Sequence, residues 1–281
     1  MSSTRGAQRR ERPAPPAPEP LAVPVLDSHV HLDIVGSDGT GWSVDEQIAA
    51  ARAVGVDRLV QIGVDLASSA WSAGLDRPEV VATVALHPNE APRLADLDGA
   101  LTQIASLASH SRVRGIGETG LDTFRTGPDG AKAQEHSFRA HIEIAKRAGK
   151  ALVIHDRDAH ADVLRLLDDA GAPDCVVLHC FSGDAAFAAE CVRRGYVLSF
   201  AGTLTFKNAP HLREAATLAP LSQILVETDA PYLTPMPHRG APNASYLIPL
   251  TVRALAAARD MDVDTLCHAI SHNGTRIFGP W

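Results

Sequence analysis

The stretch Val25-Leu26-Asp27-Ser28-His29-Val30-His31-Leu32 decides the fold. Its apolar start reads as a β-strand. An open doubly wound sheet usually carries a glycine-rich phosphate loop after its first strand. Here the strand runs instead into two histidines, two positions apart, and then Asp33. Further short apolar runs follow at Arg58–Val64, Val80–Leu86, Val113–Glu118, Ala151–His155, Cys175–His179, Tyr196–Phe200 and Ile224–Glu227. Between and after them the pattern predicts helices at Val44–Val54, Gly99–Ser109, Ala131–Ala148, Ala159–Ala170, Asp184–Arg193, His211–Leu218 and Tyr246–Ala257. Strands alternating with helices imply a parallel sheet, and strands as apolar as Val176-Val177-Leu178 imply cover on both faces. Eight such units in unbroken succession predict an α/β fold, a closed TIM-type (β/α)8 barrel.

The bulk properties fit one large domain of 281 residues with 45% hydrophobic residues. Residues 1–22 are rich in proline and arginine and have no periodic apolar face, so they read as a disordered tail before a barrel domain at 23–281. The start lacks the apolar core of a secretory signal, and no run is long enough for a spanning helix. Cys175, Cys180, Cys191 and Cys267 form no CxxC pair and read as free thiols, most of them buried. A cytoplasmic protein that does not enter the membrane is expected. The net charge of −7 argues against a broad basic face gripping duplex DNA. It leaves room for a nuclease whose metal ions bring the positive charge to the scissile phosphate.

The polar residues gather where each strand ends. His29 and His31 end the first, His87 follows the third, and Glu118 ends the fourth. His155 and His179 end the fifth and sixth, and Asp229 follows the eighth. In a barrel these ends share one face, the face on which active sites are built. Histidines two apart on a strand point to the same side and can share a metal ion. A carboxylate has two oxygens, so Glu118 can bridge two ions. Asp229 can hold an ion and also orient or deprotonate water. Glu227, two positions before it, is assigned to the barrel interior or to supporting a ligand. Lys207 and Arg239, on the loops after strands seven and eight, are candidate phosphate contacts or else solvated surface charges. His87 either touches substrate or braces the site.

Several segments resemble the successive signatures of the TatD-type hydrolases. They are Asp27 to Asp33, Gly117 to Asp122, Val153 to Asp158, Leu178 to Gly183 and Val226 to Pro235, supported by Leu86 to Pro88, Gly202 to Lys207 and Asn273 to Gly279. The resemblance implies a TIM-type barrel with a divalent metal centre and nuclease activity on DNA ends. It implies one ion held by His29, His31, Glu118 and Asp229, and a second held by Glu118, His155 and His179. After the eighth strand the chain departs from the pattern. Ala244 stands where the family commonly has glutamate, and Ser245 where it commonly has proline.

Imidazole and carboxylate donors without thiolate suit two divalent ions (Mg, Mn or Zn), and a pair of ions can clamp the attacking and leaving oxygens of a phosphoryl group. The expected function is therefore metal-dependent hydrolysis of DNA phosphodiesters by an exonuclease acting on single strands or ends. Asp229 and Glu118 are its catalytic carboxylates, and His87, Lys207 and Arg239 contact substrate. Two readings stand beside it. One is a barrel amidohydrolase or esterase acting on a C–N or ester bond, as in deacylation of aminoacyl-tRNA. The other is a metal-binding scaffold without activity, which an open ligand set disfavours.

Overall fold

The computed structural model describes residues 13–35 and 41–281. Eight strands run in chain order around one sheet: β1 (Val25–Val30), β2 (Val56–Ile62), β3 (Val80–Val84), β4 (Val113–Asp122), β5 (Ala151–Arg157), β6 (Val176–Leu178), β7 (Val197–Phe200) and β8 (Ile224–Val226). All neighbouring pairs from β1 to β8 are parallel. The ring closes just beyond β8, where Val30 bridges to Ala230. There the Asp229 N–H donates to the His29 carbonyl at 3.0 Å and the His31 N–H to the Ala230 carbonyl at 2.9 Å. The expected barrel is the fold.

Helices cover the outside: α1 (Leu32–Val35), α2 (Val44–Ala53), α3 (Leu66–Gly74), α4 (Leu97–Leu107), α5 (Pro128–Ala148), α6 (His160–Ala170), α7 (Ala185–Arg193), α8 (Pro210–Leu218), α9 (Ile248–Ala258) and α10 (Val263–Phe278). Side chains of Ser43, Asp65, Asp96, Asp184 and Asp262 cap the N-termini of α2, α3, α4, α7 and α10. Each such cap stabilises a helix by about 1 kcal/mol. The strands are buried on both faces, and Phe138, Phe200, Phe278, Leu26 and Ile116 are among the largest wholly buried side chains. Cys191 and Cys267 are buried, Cys175 and Cys180 are half-buried, and all four thiols are free.

One strand differs from the sequence expectation in a way that matters for the site. β4 continues through Asp122 rather than ending at Glu118. Its register against β5 shifts between Ile116 and Thr119, after which Thr119 to Asp122 pair with Ile154 to Arg157. Two glycines permit this. A Cβ on Gly117 would lie 2.5 Å from the Val153 carbonyl oxygen, and one on Gly120 would lie 2.1 Å from that of His155. Only glycine allows so close an approach of two backbones.

Of the stretch 1–22 expected as a tail, residues 1–12 lie outside the described residues. Residues 13–22 have no helix or strand and lie against the barrel. Pro15 is buried, and its carbonyl accepts the Tyr246 hydroxyl at 2.7 Å. The Arg253 guanidinium donates to the Pro20 carbonyl at 3.1 Å, and the Leu21 N–H to that of Val54 at 3.0 Å. Among the described residues, no helix is long and apolar enough to cross a membrane.

Candidate metal centre

The strand ends bring His29, His31, Glu118, His155, His179 and Asp229 together at the C-terminal mouth of the barrel. Glu118 is at the centre. Its Oε2 lies 2.7 Å from His179 Nε2, 3.2 Å from His29 Nε2 and 3.9 Å from His155 Nδ1. Its Oε1 faces a different imidazole, His87 Nε2, at 3.2 Å. Asp229 Oδ1 lies 3.5 Å from His31 Nε2 and 3.7 Å from His29 Nε2. Three groups of potential ligand atoms result, each within 4.8 Å: His29, His31 and Asp229; His29, Glu118 and His179; His87, Glu118 and His155. His87, read from the sequence as a substrate contact or a brace, thus stands among the potential ligands.

Burial alone pushes the Glu118 carboxyl up, but His179, His87 and His155 outweigh it and hold the acid well below its usual range. Asp229 is likewise held down by His31, His29 and His179 against the effect of burial. Burial lowers His29, reinforced by His179, and takes His87 down to about 4. His31, His155 and His179 are raised because their carboxylate neighbours outweigh burial. The centre also has too little hydrogen bonding for its imidazoles and carboxylates. Both nitrogens of His29, Nδ1 of His31, Nε2 of His155 and Oε2 of Glu118 are buried without a hydrogen-bond partner. Buried polar atoms are almost always paired. Imidazole nitrogens and carboxylate oxygens left facing one another are what a divalent cation satisfies, replacing the protons. The residues present fit such an ion.

These side chains are held from behind, mostly by residues to which the sequence assigned no role. On the β3–β5 side, Asp122 Oδ2 lies 3.3 Å from His155 Nε2 and accepts the Asn89 amide at 2.9 Å. Asp122 Oδ1 takes the Arg125 N–H at 2.8 Å. Positions 118, 120 and 122 share one strand face, but Gly120 reads as a turn and hides that. His141 on α5 accepts the N–H of Leu86, the residue before His87, at 3.1 Å. On the β1/β8 side, Asp27 is wholly buried, and burial pushes its carboxyl up to about 7. It accepts the Thr228 N–H at 2.9 Å, the Thr228 hydroxyl, and the Ser245 hydroxyl at 2.7 Å. Asn243 donates to the Thr228 carbonyl at 3.0 Å. This clasp supports Asp229, whose backbone has a left-handed φ of 53°. Glu227, placed in the interior as expected, accepts the Cys180 N–H at 2.8 Å and lies 3.2 Å from His179 Nδ1.

Above the ligands opens a cleft of about 780 Å³. Arg125, Arg157, Phe124 and Tyr232 are in its wall. The two aromatic rings are exposed, Phe124 by 67% and Tyr232 by 51%, and the Arg157 guanidinium lies 4.9 Å over Phe124. Lys207 and Arg239 do not line this cleft. Lys207 borders a separate depression, and the Arg239 guanidinium lies 4.3 Å over the Phe206 ring.

The family described as TatD related DNase matches residues 26–279. The chain belongs to the TatD family. An uncharacterized metal-dependent hydrolase TatD of Mycobacterium tuberculosis is 44% identical over 262 residues, which cover 91% of this chain and 98% of that protein. A protein of Citrobacter rodentium named 3'-5' ssDNA/RNA exonuclease TatD is 34% identical over 248 residues, 84% of this chain and 91% of its own. Among solved structures, YJJV, a TatD homologue of Escherichia coli K12, superposes with a TM-score of 0.83 at 25% identity, covering 90% of this chain and 97% of that one. As a TatD family member, the chain is a metal-dependent hydrolase.

Proposed function

We propose that this hydrolase cleaves phosphodiester bonds of single-stranded DNA from a strand end, using two divalent ions. The observation that carries the two-ion reading is that Glu118 is shared by two groups of potential ligand atoms, one with His29 and His179 and one with His87 and His155, beside a third made of His29, His31 and Asp229. One oxygen faces His87, and the other faces His29, His155 and His179. In this reading Glu118 contributes to both sites. His29, His31 and Asp229 complete one, and His155 with His179 the other, with His87 beside it. Mg, Mn and Zn all suit these donors.

When bound, the ions supply the charge that activates water and stabilises the phosphoryl transition state. The chain's own groups do the rest. Asp229, facing His31 and the cleft, orients the water and takes its proton. Arg125 and Arg157 bind the phosphate oxygens. Phe124 and Tyr232 offer faces for unpaired bases, a stacking mode that tolerates any sequence and that duplex DNA does not satisfy. The name of the Citrobacter rodentium relative supports this choice of substrate. Four free thiols suit a cytoplasmic setting, and residues 23–281 are read as the catalytic unit, preceded by an arm at 1–22.

The test is release of nucleotides from an end-labelled single strand with Mg or Mn, and with excess chelator. The duplex, an aminoacyl ester and a cyclic amide run in parallel. Metal-dependent release from the single strand is expected. Hydrolysis of the ester or amide with no DNA cleavage would overturn the reading.

A further inference from the structure

A second concavity, of about 430 Å³, opens beside the cleft. The loops after β7 and β8 build both. Thr203 and Leu233 line the cleft, whereas Leu204, Thr205, Phe206, Lys207 and Met236 line the second depression. The two loops are tied together by the Met236 N–H donating to the Thr205 hydroxyl at 2.8 Å. Arg213 and Arg253 complete the rim of the depression.

The cations of this depression are not held by carboxylates, as several others on the protein are. Arg52, Arg58, Arg77, Arg93, Arg139, Arg165, Arg193 and Arg194 are each paired with a carboxylate. Among the described residues, Lys207, Arg213 and Arg253 make no ion pair. Arg213 donates to the carbonyls of Leu204 and Phe206, and Arg253 to that of Pro20, so backbone holds them in place without neutralising them. Among the described residues, Arg125 and Arg157 of the cleft also lack a carboxylate partner. On a chain of net charge −7, the depression thus carries positive charge that no carboxylate among the described residues neutralises. A field of that sign attracts a polyanion.

We propose that this depression is a second binding site for the sugar–phosphate backbone, engaging a single strand several nucleotides from the bond that is cut. Lys207 is its exposed contact. The apolar floor of Phe206, Met236 and Leu250 accommodates sugar or base faces. The inference rests on the nucleic-acid reading above and adds to it a dependence on strand length. A strand of about three nucleotides fills the cleft alone, and one of about 15 spans both concavities, within the range of single-strand binding sites.

The test measures binding and cleavage separately. Anisotropy of fluorescein-labelled oligothymidylates is recorded in chelator, so that no cleavage occurs. The wild type is expected to bind the long strand more tightly than the short one. Lys207→Glu is expected to weaken binding of the long strand about 10-fold and of the short one by less than about two-fold. The neutral Lys207→Gln should lower the slope of log K against log salt by about 0.7, the contribution of one phosphate contact on a single strand. In cleavage assays KM for the long strand should rise with kcat unchanged. Equal losses for both lengths, or none for either, would overturn the proposal while leaving end cleavage intact. Length-dependent binding that responds to Lys207, in a protein that cuts no DNA, would support the depression and refute the nuclease reading.

Discussion

The β1/β8 side of the metal centre and the β3–β5 side present similar ligands but are supported by opposite means. His29, His31 and Asp229 stand on a closed scaffold, in which one buried carboxylate, Asp27, draws together Thr228 and Ser245 across the ring closure. His87, Glu118 and His155 stand on an opened one. There β4 has shifted register, two glycines let it lie against β5, and support comes from Asp122 and the neutral imidazole of His141. The first arrangement fixes a backbone that would otherwise avoid a left-handed turn. The second leaves room for the cleft. Rigidity is concentrated where we place the water-activating carboxylate, and access where we place the substrate.

The largest effect on activity is expected where the two sides meet. Glu118→Gln keeps the shape but removes the charge that both groups share. Metal titration should show both sites weakened, and activity should fall about 1,000-fold. Retention of both ions and of activity would dissolve the division between the sides. Next comes Asp229→Asn. The β3–β5 side should stay occupied while single-turnover cleavage slows about 100-fold, the scale for losing a general base. If both ions were lost with Asp229 and neither with Glu118, the assignment of the two carboxylates would be reversed.

Ser245 probes the clasp. Ser245→Ala removes one donor to Asp27 and should weaken Mn binding on the β1/β8 side about 10-fold, whereas Ser245→Thr should restore it. A lower melting temperature with unchanged metal affinity would make the clasp purely structural.

The smallest effect at neutral pH, and the clearest on stability, belongs to His141. Burial takes it from 6.5 down to about 4. Between those values the unfolded chain binds the proton and the folded one does not. Its contribution is therefore complete above pH 6.5 and is lost as pH falls toward 4, by about 3 kcal/mol. His141→Gln can still accept the Leu86 N–H. It should leave activity at pH 7 within about two-fold while flattening acid destabilisation in urea melts, since this one titration has been removed. An unaltered acid profile would show that the β3 support does not titrate.

These contrasts also mark what could be read in advance. That the side chains of both sides gather at one mouth was legible because strand ends follow from periodicity and a barrel brings them to one face. The β4 extension was hidden because Gly120 reads as a turn. Helix α3 was missed because its buried face is Ser69, Ser72 and Ala73, and so has no apolar period. The interior Gly274 of α10 reads as a helix breaker. In the fold it lets the helix pack against Leu26, and Asn273 next to it donates to the Leu221 and Ile224 carbonyls at the base of β8. The clasp joins residues 218 positions apart, a contact no local pattern announces. For Lys207 and Arg239 the sequence reading identified the loops correctly, but a loop assignment carries no direction.

The closure between β8 and β1 makes the barrel a hoop with a seam. Elsewhere around the ring, adjacent strands are joined by ladders, and at the seam the ladder is reduced to the single bridge from Val30 to Ala230. His29 and His31 stand on one lip and Asp229 on the other. An ion held by these three side chains would act as a rivet across the seam, making the cofactor a cross-link as well as a reagent. Its mechanical contribution is set by occupancy alone, at about 2.7 kcal/mol when the ion is at 100 times its dissociation constant. Amide hydrogens of residues 227–230 should therefore exchange with solvent faster in metal-stripped protein than in loaded protein, while those of β2 and β3, remote from the seam, keep their protection.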